Sequence, residues 1–167
     1  MLLVTVAFAS PCPEAPPRLS PPWLHVERSQ NGEVVARGRR RRGERHGTWC
    51  DWAPFGRLVG VSTWDHGVQH GPFHRWEPDG RETHGGFLAG ERHGQWTETR
   101  SSGNVMIQGT YDGGLRVGVW TEYGAKGPYV NGERHGVWTA PDREETYANG
   151  VLHGVRTRLV DGRPVRT

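Results

Sequence analysis

Residues 129–138, Tyr-Val-Asn-Gly-Glu-Arg-His-Gly-Val-Trp, decide the fold of this chain. They run from an aromatic residue, Tyr129, through Gly132 and Gly136 to a second aromatic, Trp138. The same phrase returns six times. Its second glycine falls at Gly47, Gly71, Gly94, Gly118, Gly136 and Gly154, in steps of 24, 23, 24, 18 and 18 residues. Its first glycine falls at Gly43, Gly67, Gly90, Gly114, Gly132 and Gly150. Two residues after the second glycine come Trp49, Phe73, Trp96, Trp120 and Trp138, with Arg156 in the last copy. Seven residues before it come Trp64, Phe87, Tyr111, Tyr129 and Tyr147, with Arg40 in the first. An internal repeat of this length constrains architecture before any other signal does, and its atypical end copies suit capping units.

The spacing has a direct geometric reading. Folding the chain back at Glu133–Arg134 sets Tyr129 and Trp138 opposite each other on antiparallel strands. Residues 131–136 then form a loop of about four residues, with glycines free to take positive φ. Trp64 with Phe73, Phe87 with Trp96 and Tyr111 with Trp120 repeat the pair. A second class of turn is expected midway between copies, at Asn31-Gly32, Asp79-Gly80, Ser102-Gly103 and Asp161-Gly162, as tight hairpins. The expectation is an all-β fold, an elongated antiparallel meander of repeated β-hairpins. Helix fits poorly, because glycine and proline interrupt every stretch and no window keeps an apolar stripe at helical period. The most apolar run, residues 104–111, reads as a strand.

Composition agrees with a thin sheet. Hydrophobic residues make up 34% of the chain and mean hydropathy is −0.73, too polar for a thick α/β core. Four of the eight tryptophans sit at the repeat position. They read as the core of the sheet, with an exposed ligand-binding row as the alternative. The first 22 residues differ: an apolar run from Leu2 to Ala9 precedes the proline-rich stretch 11–22. The expected organisation is a signal-like or disordered tail over residues 1–22 and a repeat array over 23–167. Export, to the periplasm or cell surface, and a cytoplasmic chain with a disordered tail both stay open. No stretch is long enough to cross a membrane as a helix. The two cysteines, Cys12 and Cys50, do not define a disulfide framework, and a bridge between tail and sheet stays open.

Chemistry-bearing residues recur instead of converging. Five of the nine histidines (His46, His70, His93, His135 and His153) precede the second glycine, and adjacent copies would space them by roughly 9–10 Å. That is too far for one tetrahedral ion, whose ligands lie about 2 Å away. His66, His70, His74 and His84 are denser, but Gly67, Gly71 and Pro72 forbid the helix that would gather them. No metal site and no cofactor are expected. Glu44, Glu91 and Glu133 recur in the turns, where pairing with Arg45, Arg92 and Arg134 accounts for them. Catalysis needs dissimilar groups meeting in one pocket, so no catalytic residue is assigned. The run Arg39, Arg40, Arg41, Arg42 is the strongest charge feature, read as a solvated edge cap or as a contact for anionic lipid or an acidic protein. Nucleic acid is not expected at a net charge of +3 with acidic residues spread through the other copies.

The phrase Asn131-Gly-Glu-Arg-His-Gly-Val-Trp138 resembles the MORN repeat, and the longer bacterial variant found in antitoxin-like components fits best. The resemblance covers about residues 23–162. It implies strand–turn–strand units in a curved antiparallel sheet that serves as a scaffold for protein or lipid. The expected function is a non-enzymatic module that binds a protein partner, a toxin among the candidates. The alternatives are a peripheral binder of anionic membranes through Arg39–Arg42 and a glycan-binding surface protein.

Overall fold

The aromatics of the repeat lie on β-strands, and the described chain is all-β apart from one 3-10 turn at Pro54–Gly56. The computed structural model describes Cys12, residues 22–154 and residues 156–165. The signal-like segment therefore lies outside the described residues, apart from Cys12 and Pro22. The chain forms two compact units, Met1–Val68 and Gln69–Thr167.

Among the described residues the first unit is a four-strand antiparallel meander: β1 (His25–Arg28), β2 (Val34–Arg41), β3 (Glu44–Trp52) and β4 (Leu58–Asp65). Trp49 is fully buried on one face. On the other, Cys12, Cys50 and Trp52 are buried together, with Val34, Leu58 and Val61 packed on them. Cys12 and Cys50 form a disulfide across 38 residues, so the bridge that the sequence left open is present.

The second unit continues the same pattern. Its strands are β5 (Val68–Trp76, whose first residue belongs to the first unit), β6 (Glu82–Leu88), β7 (Glu91–Arg92), β8 (Gly94–Thr99), β9 (Val105–Asp112) and β10 (Leu115–Glu122). There follow β11 (Ala125–Val130), β12 (Glu133–Arg134), β13 (Gly136–Thr139), β14 (Arg143–Ala148), β15 (Val151–Leu152), β16 (Thr157–Val160) and β17 (Arg163–Val165). Among the described residues the strands of this unit pair antiparallel with one another.

The reversal point differs from the one read from the sequence. The chain turns at Asn131-Gly132, with φ of 51° and 83°, and not at Glu133–Arg134. Two consecutive positive-φ residues give the tight turn whose twist matches a β-ribbon. Tyr129 accordingly pairs with Arg134 and Val130 with Glu133, so Trp138 does not face Tyr129 across the ladder. The second glycine is a bulge instead of part of a loop. Gly38 pairs with Trp49 while the next residue, Arg39, pairs with His46, which leaves Gly47 and Thr48 unmatched on that side. The midway turns are also different. At residues 29–33, 77–81 and 100–104 only the glycine has positive φ, and paired backbone hydrogen bonds close a wider loop. Only Asp161-Gly162 of that class has positive φ at both residues.

Consecutive copies are joined through their turns. The amide of Gly67 donates to the Arg45 carbonyl at 2.9 Å, that of Gly114 to Arg92 at 3.0 Å, that of Gly132 to Arg116 at 3.1 Å and that of Gly150 to Arg134 at 2.9 Å. Each hairpin thus clamps the one before it, the nearest-neighbour coupling that stabilises a repeat array.

Candidate interaction surface

The repeat tryptophans are buried, Trp49 in the first unit and Trp96, Trp120 and Trp138 as a row in the second. Trp49, Trp96, Trp120 and Trp138 are between 0 and 5% exposed. Trp96 pairs with Gly109 and Trp120 with Gly127. Each indole covers a glycine on the preceding strand: Gly38, Gly85, Gly109 or Gly127. A single sheet can bury so large a ring only if the neighbouring residue leaves its place empty. The glycine eleven residues before each tryptophan was visible in the sequence, but its role needed the register.

In the second unit the aromatics meet edge to face in a continuous chain. Phe87 and Trp96 have ring centroids 5.3 Å apart, Trp96 and Tyr111 5.8 Å, Tyr111 and Trp120 5.0 Å, Trp120 and Tyr129 5.8 Å, Tyr129 and Trp138 5.4 Å, and Trp138 and Tyr147 6.5 Å. The paired aromatics therefore do touch, diagonally across the bulge and not face to face. Such contacts add about 0.5–1.5 kcal/mol each beyond area burial.

An arginine lies over each of these tryptophans. The guanidinium of Arg45 sits 4.1 Å above Trp49, that of Arg92 4.5 Å above Trp96, that of Arg116 4.5 Å above Trp120 and that of Arg134 4.1 Å above Trp138. Arg92, Arg116 and Arg134 also reach toward the next tyrosine, at 5.4, 5.2 and 5.4 Å from the Tyr111, Tyr129 and Tyr147 rings. These arginines cover rings; the expected turn pairing with Glu44, Glu91 and Glu133 is not their role. Glu44, Glu91 and Glu133 instead lie against the next copies' Gly67, Gly114 and Gly150. Arginine four residues before each tryptophan was a legible repeat position, but cation–π contact depends on the face each residue takes.

Two buried carboxylates anchor the row, and the sequence offered no sign of either. Glu122 accepts from Arg116, from Arg134 at 2.7 Å and from the Tyr129 hydroxyl at 3.1 Å. Burial alone would lower the Arg134 pKa, but bonds with Glu122, Tyr129 and Tyr147 and the Glu122 charge raise it above its ordinary value. Glu145 accepts from Tyr147 at 2.9 Å and pairs with Arg156 at 2.5 Å, the residue that stands where other copies have tryptophan. Burial pushes the Glu145 pKa up; the Tyr147 hydrogen bond and the Arg156 and Arg143 charges outweigh it and hold it below 4.5. Two depressions on this face hold 120 Å³ beside Arg92, Trp96 and Arg116, and 230 Å³ beside Glu122, Arg134 and Glu145. Both fall below the roughly 300–1,000 Å³ of small-molecule sites.

The four arginines of the basic run separate. Arg40 is tied to Glu27 at 2.8 Å and lies 5.8 Å from the Trp49 ring, in place of the aromatic of later copies. Arg42 occupies the hairpin turn with φ of 53°. Arg39, Arg41 and Arg42 are exposed. A depression of 360 Å³ runs beside Leu24, Arg37, Arg39 and Thr48.

The histidines assemble in a way the helical argument missed. His74 pairs directly with His84 across β5 and β6, and Glu82 lies two residues before His84. The His74 pKa is pushed down from 6.5 to about 4, by burial first and then by the neighbouring His84, against the opposing pull of Glu82. His46 and His66 share Asp65, at 3.2 and 2.6 Å.

One repeat position varies between a constant glycine and a residue that is aromatic in each of these five copies. The residue between the second glycine and the aromatic is Thr48, Pro72, Gln95, Val119 or Val137, and each is exposed. Val119 lies directly across from Pro128, and Pro128 packs beside Gly136, next to Val137. Being adjacent to the buried tryptophans, these side chains project from the opposite face of the strands. Comparison of the sequence with models of protein families finds no match, and comparison with curated proteins finds none either.

Proposed function

We propose that this chain is a non-enzymatic, MORN-like scaffold that binds a protein partner, a toxin being the class that the resemblance favours. The observation that carries this reading is the exposed position between glycine and tryptophan. The glycine and aromatic on either side of it build the sheet, whereas the position itself is Thr48, Pro72, Gln95, Val119 or Val137, polar in some copies and apolar in others, and exposed in each. Within the second unit, Pro72, Gln95, Val119 and Val137 can be matched to a partner without cost to the fold. Val119 and Val137 are 58% and 48% exposed, and Val130 adds an exposed apolar group at 48%. Exposed apolar groups grouped on one face favour a protein surface as the complement. A glycan stacking on the repeat tryptophans would need rings that the fold keeps covered. The Cys12–Cys50 disulfide supports the exported reading, because such bridges persist mainly in oxidising compartments.

The test is co-expression with the product of the adjacent reading frame, followed by calorimetric titration of the purified pair. Val119→Glu with Val137→Glu is expected to weaken binding about tenfold or more, while the melting temperature stays within the small range typical of surface changes. No binding, or binding untouched by the double variant, overturns the reading.

A second reading rests on the exposed Arg39, Arg41 and Arg42 beside the depression lined by Arg37. Three basic side chains near an anionic bilayer contribute about 1 kcal/mol each. Flotation with phosphatidylserine vesicles is expected to fall by about 100-fold in affinity on changing these three to Ser. Unchanged flotation removes this reading.

A further inference from the structure

We propose that His74, Glu82 and His84 form a binding site for a divalent transition-metal ion of the zinc class, on the face of the second unit opposite the tryptophan row. The three side chains each offer one ligand atom, and these atoms all lie within 4.8 Å of one another. His74 Nε2 and His84 Nε2 are each 3.3 Å from Glu82 Oε2. Ligands about 2.0–2.1 Å from a tetrahedral ion stand about 3.3 Å apart, so both histidine–carboxylate edges match zinc. The two imidazoles lie 3.6 Å apart between centroids, and a turn of the half-exposed His84 ring aims both nitrogens at one ion. Two imidazoles and one carboxylate also suit the ion chemically.

The sheet holds the ligands in place. His74 and His84 are directly paired across antiparallel strands, and Glu82 shares the face of His84 by the two-residue period. The His74 ring packs against the Trp76 ring at 3.7 Å between centroids, which restricts its rotation. His84 and Glu82 are about half exposed, at 51% and 41%, so an ion has an open path and a fourth position for water. The other His–carboxylate group, at Asp65, is less suited: the His66–Asp65 distance of 2.6 Å is that of a hydrogen bond and must lengthen to admit an ion.

The experiment titrates chelator-treated full-length protein with Zn²⁺ by calorimetry and with Co²⁺ by visible absorption. One equivalent is expected to bind, with the intense visible bands of tetrahedral Co²⁺. Glu82→Gln and His84→Ala are each expected to weaken binding by about 100-fold or more, beyond what loss of an outer-shell partner costs. Asp65→Asn is expected to leave it unchanged. Circular dichroism of Glu82→Gln, a nearly isosteric change at an exposed residue, separates loss of a ligand from loss of fold. Absence of binding in the wild type, binding retained in His84→Ala, or binding lost in Asp65→Asn would each overturn the proposal.

Discussion

Trp120→Ala is expected to destabilise the second unit by about 3–5 kcal/mol, the cost of removing a large ring from a packed site. Trp120 is 1% exposed and contacts Tyr111, Tyr129 and the Arg116 guanidinium. Its removal opens the centre of the aromatic chain and uncovers Gly109, where nothing replaces the indole. A domain of this size is stable by only about 5–15 kcal/mol, so the change takes a large share. The loss should be greatest in the copies on either side, because each contacts mainly its neighbours. Amide hydrogen exchange across residues 105–139 and denaturant titration are the measurements. The converse change tests the same packing: a Cβ at Gly109 would stand 2.1 Å from the Trp120 ring. Gly109→Ala is therefore expected to cost about 1–3 kcal/mol through overpacking. A loss below about 1 kcal/mol for Trp120→Ala would show that the ring is not the core of this unit.

Opening the Cys12–Cys50 disulfide is expected to destabilise the first unit by about 4 kcal/mol, the chain-entropy value for a loop of 38 residues. Both cysteines are 5% exposed and pack with Trp52. The chain has no other cysteine, so the second unit should keep its stability under reductant. Calorimetry of the oxidised protein, the reduced protein and the Cys12→Ala, Cys50→Ala variant separates the units by their response. A thiol assay on unfolded, unreduced protein should find no free thiol. Two free thiols, or a melting profile indifferent to reductant, would contradict the bridge.

The Arg–Trp–Tyr row explains how so polar a chain buries the repeat tryptophans of its second unit on a sheet face. An arginine stem covers apolar surface while its guanidinium stays partly wet and hydrogen-bonds tyrosine. Arg116 donates to Tyr129 at 2.9 Å while lying over Trp120. This face is occupied by its own internal pairing, which is why the proposed partner contact is placed on the other.

The array itself was legible because glycine and aromatic residues act locally. Their spacing along the chain limits where strands can run and where reversals can fall, and the strand over residues 104–111 is present as β9. Which of two glycines would turn was not legible. Asn131-Gly132 takes the tight turn and Gly136 the bulge because that register lets Trp138 cover Gly127 and Gly132 bond to Arg116. The first joins the two strands of one hairpin and the second joins successive copies, and no local preference encodes either. The same dependence hid the His74–Glu82–His84 cluster, whose members meet only through the pairing of β5 with β6. It also hid Glu122, an unremarkable acidic residue until two arginines from successive copies close on it. By itself, then, the sequence determined a β-repeat with aromatic and glycine positions at set intervals, since those are properties of short segments. Register, the arginine cover and the carboxylate anchors were decided only in three dimensions, where paired strands settle their alignment by how well large rings and charges pack.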